Sequence, residues 1–330
     1  SCDSLGVDYV NGKIAVPDLV RARKLFQRAC DGGYMNGCLN LAIGYQIGTG
    51  TKKNPRKAIP LLRKACDGGS MGACARLGQA LLTGSGVKQD AQVAVVLFRQ
   101  ACDRGVNRAC LALARSLRTG NGVTKSEVEA HKHFTALCEK KYPDGCLETA
   151  LDFDHGRGVV KDHSRAATLY LQACDNGALM GCENLAYLYK AGVGVPKNVN
   201  RAIDLFGRAC DGGEGKSCAV LGEAFDKGKD LPKDSHRAVA LYERACTHHF
   251  PQGCDMAAYA HWKGEMVPEN EGRAARFAAP GCDGNGKLGC FIMAVLHREG
   301  TVVKQSRAKA QKYFRKACKL GLDAACEYTR

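Results

Sequence analysis

The 330-residue chain carries 48 Lys and Arg against 33 Asp and Glu, a formal charge of +15. No run of about 18 uninterrupted apolar residues is present, so the sequence predicts no membrane span. No basic and then apolar leader is seen, so we expect any export signal to have been removed or to lie upstream. Residues 1–110 hold 16 basic and 7 acidic residues. This basic third favours acidic partners, anionic polymers or anionic lipid, or it reflects solvated helix surfaces alone; we expect no nucleic acid.

Cysteine spacing shows an internal repeat. Eighteen of the 19 cysteines form pairs with seven residues between partners, and each pair recurs after 36 residues. Ala and Gly recur with the same period in all nine units, at Ala22 and Gly12 and their equivalents. The pairs are Cys30 with Cys38, Cys66 with Cys74, Cys102 with Cys110, Cys138 with Cys146, Cys174 with Cys182, Cys210 with Cys218, Cys246 with Cys254, Cys282 with Cys290, and Cys318 with Cys326.

Each repeat predicts two helices, here called A and B. In the second repeat, helix A runs from about Asn36 to Ile47 and ends at Gly48, which accepts a left-handed conformation. Asn54 has the side chain of a helix N-cap, and Pro55 suits the first position of helix B. The spacing of one buried helix face appears in helix B at Ala58, Leu61, Leu62 and Ala65.

One such hairpin buries too little surface to fold alone, so neighbouring hairpins must stack and share a core. The sequence therefore predicts an all-α fold, a right-handed α/α superhelix (solenoid) of about nine 36-residue helix-turn-helix repeats. We expect one domain over residues 1–330 that starts and ends within a repeat. Close helix contacts are expected at a position that is always Gly or Ala: Gly6, Ala42, Gly78, Ala114, Ala150, Ala186, Gly222, Ala258 and Ala294.

The repeat resembles a known family. One unit reads Leu185-Ala186, Tyr189, Gly192-Val193-Gly194-Val195-Pro196-Lys197-Asn198, Arg201-Ala202, Phe206 and Ala209. This pattern resembles the Sel1-like repeat family, a relative of the tetratricopeptide repeat, and the cysteine pairs resemble its Helicobacter cysteine-rich branch. The resemblance implies superhelical adaptor proteins that are often exported. It also implies β-lactam binding or hydrolysis, which has been attributed to the cysteine-rich branch.

The paired cysteines predict one disulfide per repeat. The first lies in the last turn of helix B and the second in the first turn of the next helix A, so their Cβ atoms can approach to ~3.8 Å. Zinc is the alternative, but neighbouring pairs should lie about 10 Å apart, too far to share one ion. Nine disulfides indicate the periplasm, the cell surface, secretion or an intermembrane space. Cys2 is left unpaired, either because its partner is lost or because it carries a lipid anchor.

The sequence contains only weak candidates for catalytic or metal-binding residues. Ser306 and Lys309 match the S-x-x-K pattern of β-lactam enzymes, but Ser306 stands in the N-cap register and no S-D-N or K-T-G accompanies it. His261 and His297 share one register and are either buried, hydrogen-bonded residues or a metal or pH-sensing pair. We therefore predict no catalytic residue, metal or cofactor. Pro280, with Ala278 and Gly281, predicts a frayed or bent helix near residues 278–282.

Binding is expected on helix A. Core positions should lie three, four and seven residues after the second cysteine, so positions two, five and nine should face an inner, concave wall. Its side chains vary, which favours a non-enzymatic, monomeric scaffold for another protein or peptide, such as an exported adaptor or toxin-immunity protein. The alternatives are a β-lactam-binding protein or β-lactamase-like hydrolase, and a binder of anionic polymer or lipid. Predicted binding residues are Ile43, Ile47, Arg76, Gln79, Arg115, Leu151, Tyr187, Met256, Tyr259 and Trp262.

Overall fold

The structure is a computed structural model that describes residues 2–13, 16–229 and 231–329. These residues form 19 α-helices and a final 3₁₀ turn, with no strand among them. The A helices are α1 (Cys2–Asn11), α3 (Met35–Ile47), α5 (Met71–Thr83), α7 (Asn107–Thr119), α9 (Pro143–His155), α11 (Leu179–Ala191), α13 (Gly215–Lys227), α15 (Pro251–Lys263), α17 (Lys287–Glu299) and α19 (Asp323–Cys326). The B helices are α2 (Leu19–Asp31), α4 (Pro55–Asp67), α6 (Ala91–Asp103), α8 (Glu127–Glu139), α10 (His163–Asp175), α12 (Val199–Asp211), α14 (Ser235–Thr247), α16 (Glu271–Asp283) and α18 (Arg307–Lys319).

Local signals set the helix ends where the sequence predicts them. The Asn54 side chain accepts a hydrogen bond from the backbone N–H of Lys57, which satisfies one of the free donors at the start of α4. Gly84 ends α5 with φ of +71°, a conformation that residues with a Cβ adopt at a cost. Because the same cap and the same glycine recur in each repeat, the helices keep a common length of 13 residues from α2 to α18.

Helix packing explains the Gly or Ala position. A Cβ at Gly78 would lie 2.8 Å from the Phe98 ring of the next helix, and one at Gly222 would lie 2.7 Å from the Tyr242 ring. The absence of a side chain therefore lets an aromatic ring of helix B pack directly on the backbone of helix A. Ala58 and Leu62 on α4 are fully buried in the same layer.

Disulfides join each B helix to the next A helix. All nine predicted cysteine pairs are bonded, with Cα–Cα distances between 4.3 and 4.8 Å, so the prediction of one disulfide per repeat is confirmed. The bonds join Cys30 to Cys38, Cys66 to Cys74, Cys102 to Cys110, Cys138 to Cys146, Cys174 to Cys182, Cys210 to Cys218, Cys246 to Cys254, Cys282 to Cys290, and Cys318 to Cys326. Cys2 is the free cysteine of the described residues.

The corners that carry these bonds are tightly packed. A Cβ at Gly37 would lie 2.5 Å from the Cβ of Ala29, so the two helices meet there without room for a larger residue. The second cysteine of each of the first eight pairs is buried in the core, whereas Cys326 in the last pair is only partly buried. The bonds therefore belong to the framework of the stack and not to its binding surface. The eight buried cysteines are Cys38, Cys74, Cys110, Cys146, Cys182, Cys218, Cys254 and Cys290.

The chain divides into two compact units, Ser1–Asp162 and His163–Arg330. Within each unit every helix packs on the next helix in sequence, so each unit is an α/α solenoid of stacked hairpins. We propose, as the period suggests, that the chain functions as one domain. None of the helices in the described residues has the length and apolar character needed to cross a bilayer.

The irregular eighth repeat differs from the prediction. Helix α16 runs from Glu271 to Asp283 without a break, so the fraying predicted near residues 278–282 is wrong, and the bend stays a prediction. Phe277 supplies the buried ring one place before Ala278 and stacks on His261, with ring centroids 6.0 Å apart. The small residue Gly281 has a packing reason, because a Cβ there would lie 2.6 Å from a carboxylate oxygen of Asp255.

Candidate functional site

The A-helix wall is the face of the A helices that carries residues two, five and nine places after the second cysteine. Side chains three and four places after that cysteine, such as Leu41 and Ala42, are buried as predicted. None of the ten predicted binding residues is fully buried: Ile47, Gln79 and Arg115 are exposed, and Ile43, Arg76, Leu151, Tyr187, Met256, Tyr259 and Trp262 are partly buried. The structure therefore leaves each of them accessible, and their role in binding stays a prediction.

At the N-terminal end of this wall is an apolar groove. Ile43 and Ile47 line a cavity of about 270 Å³ together with Val7, Val10 and Leu19 from α1 and α2. The Ile47 side chain is 65% exposed although it is large and apolar. Exposed aliphatic residues around a concavity are typical of surfaces that bind protein side chains.

Farther along unit 1 the wall is charged. The Glu148 carboxylate, only 6% exposed, pairs with Arg115 Nε at 2.7 Å and with Arg118 Nη1 at 2.6 Å. Asp152 is also buried, and its Oδ2 lies 3.2 Å from His131 Nδ1. Because these partners come from α7, α8 and α9, the network joins two consecutive repeats and fixes the orientation of Arg115.

Arg76 extends this basic surface. Its guanidinium is partly buried, donates to Gln46 Oε1 at 3.4 Å, and has a lowered pKa because of burial and of repulsion from Arg108. Next to it, Gln79, Arg108 and Arg115 line a groove of about 390 Å³. Asp144 lines the same groove, which therefore carries two Arg side chains and one carboxylate of the chain itself.

In unit 2 the first predicted binding residue of the wall is Tyr187. The Tyr187 ring packs edge-on against Phe206, with centroids 5.0 Å apart, and Lys216 Nζ lies 5.1 Å from the Tyr187 ring centroid. Lys216 is held there by an ion pair with the buried Glu183 carboxylate, which also accepts from Ser217. Burial raises the pKa of Tyr187, so its hydroxyl stays neutral and can donate a hydrogen bond.

Three predicted residues also have a packing role. The Trp262 ring lies 6.4 Å from the Tyr259 ring and 6.0 Å from the Phe291 ring, measured between centroids. Met256, Tyr259 and Trp262 all pack against one hydrophobic cluster, which contains the buried Ile292. Part of each side chain therefore stabilises the stack of α15 and α17, and only the remaining surface is available to a partner.

The weaker chemical candidates have structural roles. Ser306 Oγ accepts from the backbone N–H of Lys309 at 3.3 Å and caps α18. His261 is 3% exposed and lies 2.6 Å from Glu243 Oε1, and His297 Nδ1 lies 3.0 Å from the Lys304 carbonyl. Across the part of the chain that the structure describes, no group of three or more His, Cys, Asp or Glu side chains is arranged to hold a metal ion.

Sequence reasoning missed the buried carboxylates. Glu148 stands at a wall position but is buried, and neither Glu183 nor Asp255, both in the position after the second cysteine, was singled out. A signal was available, because Glu148 lies 33 residues after Arg115 and 30 after Arg118, the distances that join adjacent A helices.

An all-helical stack with one disulfide per repeat and a wall of varied, accessible side chains defines a disulfide-bonded α/α repeat protein. The sequence matches the Sel1 repeat nine times, and the chain therefore belongs to the Sel1 repeat family, a scaffold typical of protein-binding proteins and generally non-enzymatic. The matches cover residues 2–34, 36–70, 72–106, 107–142, 143–177, 179–214, 215–249, 251–285 and 287–322.

Two solved structures with TM-scores above 0.5 share this fold, and a third is similar over part of the chain. A Sel1 repeat protein of Oxalobacter formigenes is 20% identical, with a TM-score of 0.63 over 92% of this chain and 88% of that one. A protective antigen of uropathogenic Escherichia coli is 21% identical, with a TM-score of 0.58 over 98% of this chain and 69% of that one. Cysteine-rich protein B of Helicobacter pylori is 25% identical, with a TM-score of 0.31 over 40% of this chain and 94% of that one. No curated protein matches the chain significantly.

Proposed function

We propose that this protein is a monomeric, non-enzymatic scaffold that binds another protein or a peptide along its A-helix wall. The observation that carries the proposal is the contrast between a constant framework and a variable surface. Caps, turn glycines and disulfides repeat in every unit, whereas adjacent wall positions present Ile47, Gln79, Arg115 and Tyr187 to solvent or partly so. A framework that fixes backbone positions while side chains vary suits recognition of one particular partner.

We propose that the protein works in an oxidising compartment, in the periplasm, at the cell surface or after secretion. Support comes from the nine disulfides, since thiols of this number stay reduced in a reducing cytosol. Titration of free thiols in the denatured, unreduced native protein tests this. One reactive thiol per chain, Cys2, is expected. A count near the full cysteine content of the chain would contradict both the compartment and the disulfide framework.

The A-helix wall can be tested with paired variants. A partner is first captured from the native envelope fraction and purified, and its affinity for the full chain is then measured. Tyr187→Ala and Gln79→Ala should each weaken binding, by roughly tenfold where the residue is a hot spot. Val96→Ala, at a side chain that is 55% exposed on helix B, is the matched control and should leave affinity within about twofold. Equal losses at Val96 and at the wall would reject the wall as the binding surface.

In this function Ser306 has only the structural role of capping α18. We expect purified protein to turn over no nitrocefin. Turnover that is lost in Ser306→Ala, in a variant that keeps its helical content, would instead support the β-lactam hydrolase implied by the cysteine-rich branch.

A further inference from the structure

The ninth B helix, α18, differs in charge from the other B helices. It has six cationic side chains and no acidic one: Arg307, Lys309, Lys312, Arg315, Lys316 and Lys319. Five of the six are exposed, Lys316 being partly buried. In the described part of the chain, none of the six forms an ion pair with a carboxylate.

At one position of the repeat, α18 has a basic residue where most of the other B helices have an acidic one. The residue after the first cysteine of each pair is acidic in seven of the eight preceding B helices, the exception being Thr247, but it is Lys319 in α18. Where the acid is present, it can pair with the next B helix: Arg208 with Asp175, and Arg244 with Asp211, both at 2.8 Å. The seven acidic residues are Asp31, Asp67, Asp103, Glu139, Asp175, Asp211 and Asp283.

One side of α18 is exposed and carries most of these cations. Ala308, Gln311, Lys312, Arg315, Lys316 and Lys319 line a shallow groove of about 500 Å³ along it. Gln311 is exposed at the register where Val95, Ala167 and Val239 are buried.

From this charge reversal we propose that the exposed face of α18 is a docking surface for an acidic polypeptide segment. Arg208 and Arg244 show that a cation on a B helix can pair with a carboxylate of the preceding B helix, although they stand in the register of Lys316 and their acids in the register of Lys319. A segment that presents Asp or Glu side chains to α18 forms ion pairs of the same kind with Lys312, Arg315 and Lys319, with the charges at the Lys319 register reversed. This surface lies on a B helix and is separate from the A-helix wall.

Two other polyanions fit the face less well. Its single apolar residue is Ala308, so it lacks the large side chains that insert into a bilayer. The nearby rings are occupied, because Tyr313 stacks on His297 and Phe314 stacks on Tyr328. The face therefore offers no ring on which nucleic acid bases can stack.

The test is fluorescence anisotropy with the full chain and a labelled Glu-rich peptide, with the same peptide carrying Gln in place of Glu as its control. The Glu peptide should bind, its affinity should fall as NaCl is raised from about 50 to about 300 mM, and the Gln peptide should not bind. The triple variant K312E/R315E/K319E should raise Kd by roughly tenfold or more, the expected loss from several exposed ion pairs. K312Q/R315Q/K319Q should show a smaller loss in the same direction.

A matched triple variant separates a local surface from net charge. K52E/R56E/R63E changes the charge by the same amount at exposed residues in and just before α4, and it should leave Kd within about twofold. Equal weakening by the two triple variants overturns the proposal, as does wild-type affinity in K312Q/R315Q/K319Q. Tighter binding to vesicles of phosphatidylglycerol, or to duplex DNA, than to the Glu peptide overturns the choice of an acidic polypeptide.

Discussion

Two regions of the A-helix wall occupy the same registers with opposite chemistry. In unit 1, Arg115 and Arg118 of α7 pair with the buried Glu148 carboxylate of α9. In unit 2 the equivalent positions are Tyr259 and Trp262 of α15, which pack against a cluster that contains the fully buried Ile292 of α17. The repeat therefore fixes where side chains of adjacent helices meet, and it leaves open whether charge or apolar contact holds them.

Ile292→Ala should have the largest effect, because it removes three carbons from a fully buried side chain in the apolar region. We expect a loss of about 3 kcal/mol of local stability. Hydrogen exchange of α15 and α17 amides, which reports the opening free energy of each region, checks this. The loss should not change with salt. A loss below about 1 kcal/mol would mean that the cluster relaxes around the cavity.

Glu148→Ala should come next. It leaves Arg118, 18% exposed, with only the longer 3.7 Å contact to Asp152, and we expect a loss of about 2 kcal/mol in the opening of α7 and α9. Because this contribution is electrostatic, part of the difference between wild type and variant should disappear at high salt. Glu127→Ala, which removes a partly exposed partner of Lys125, is the control and should leave the exchange of α7 and α9 amides unchanged. A salt-independent loss at Glu148 would indicate packing in place of charge.

The 36-residue period explains why most of this fold could be predicted from the sequence. Asn54, Gly84 and the cysteine pairs are local signals, and each is repeated in other units, so helix ends and disulfides could be placed by counting. Exposure of wall residues such as Ile47 and Gln79 also followed from helical spacing.

The contacts between repeats could not be placed in the same way. Whether Glu148 is exposed depends on two Arg side chains that lie 30 and 33 residues away in sequence. Pro280 and Gly281 indicated a frayed helix, yet α16 is continuous, and the small residue there makes room for the Asp255 carboxylate. The sequence pattern of a single helix does not show which side chains of the neighbouring helices contact it, and these contacts decide the burial of Glu148 and the need for Gly281.

Directly after the second cysteine the chemistry of the two units is exchanged. Unit 2 has the buried carboxylate of Asp255 there, and unit 1 has the buried apolar Leu111. The Asp255 carboxylate accepts from the backbone N–H groups of Leu288 and Gly289, at 3.2 and 2.9 Å. Burial nevertheless raises the pKa of Asp255 above its ordinary value of 3.8. The folded state then holds a proton that the unfolded state releases, so this contribution to stability is complete below pH 3.8 and is lost as pH rises through the folded pKa.

Asp255→Asn removes that titration and keeps an acceptor oxygen. On acidification from neutral pH toward pH 3.8, wild type should therefore gain opening free energy relative to the variant, measured on α17 amides. Asp283→Asn, at an exposed position of α16, is the control and should show no comparable relative gain. A wild type that loses stability relative to Asp255→Asn in this range would mean that the two N–H donors outweigh burial.

The smallest effect should be the same in both units, because it concerns the backbone alone. Lys141 and His249 adopt φ of +55° and +60° at a corner where Gly33, Gly69 and Gly105 also have positive φ. Lys141→Gly and His249→Gly should each stabilise the adjoining corner by roughly 0.5–1 kcal/mol, since relief of the left-handed strain exceeds the entropy that Gly adds to the unfolded chain. Thermal denaturation of the two variants measures it. If only one variant gains stability, the side chain at the other corner makes contacts that offset its backbone strain, and the two regions would then differ in their corners as well as in their walls.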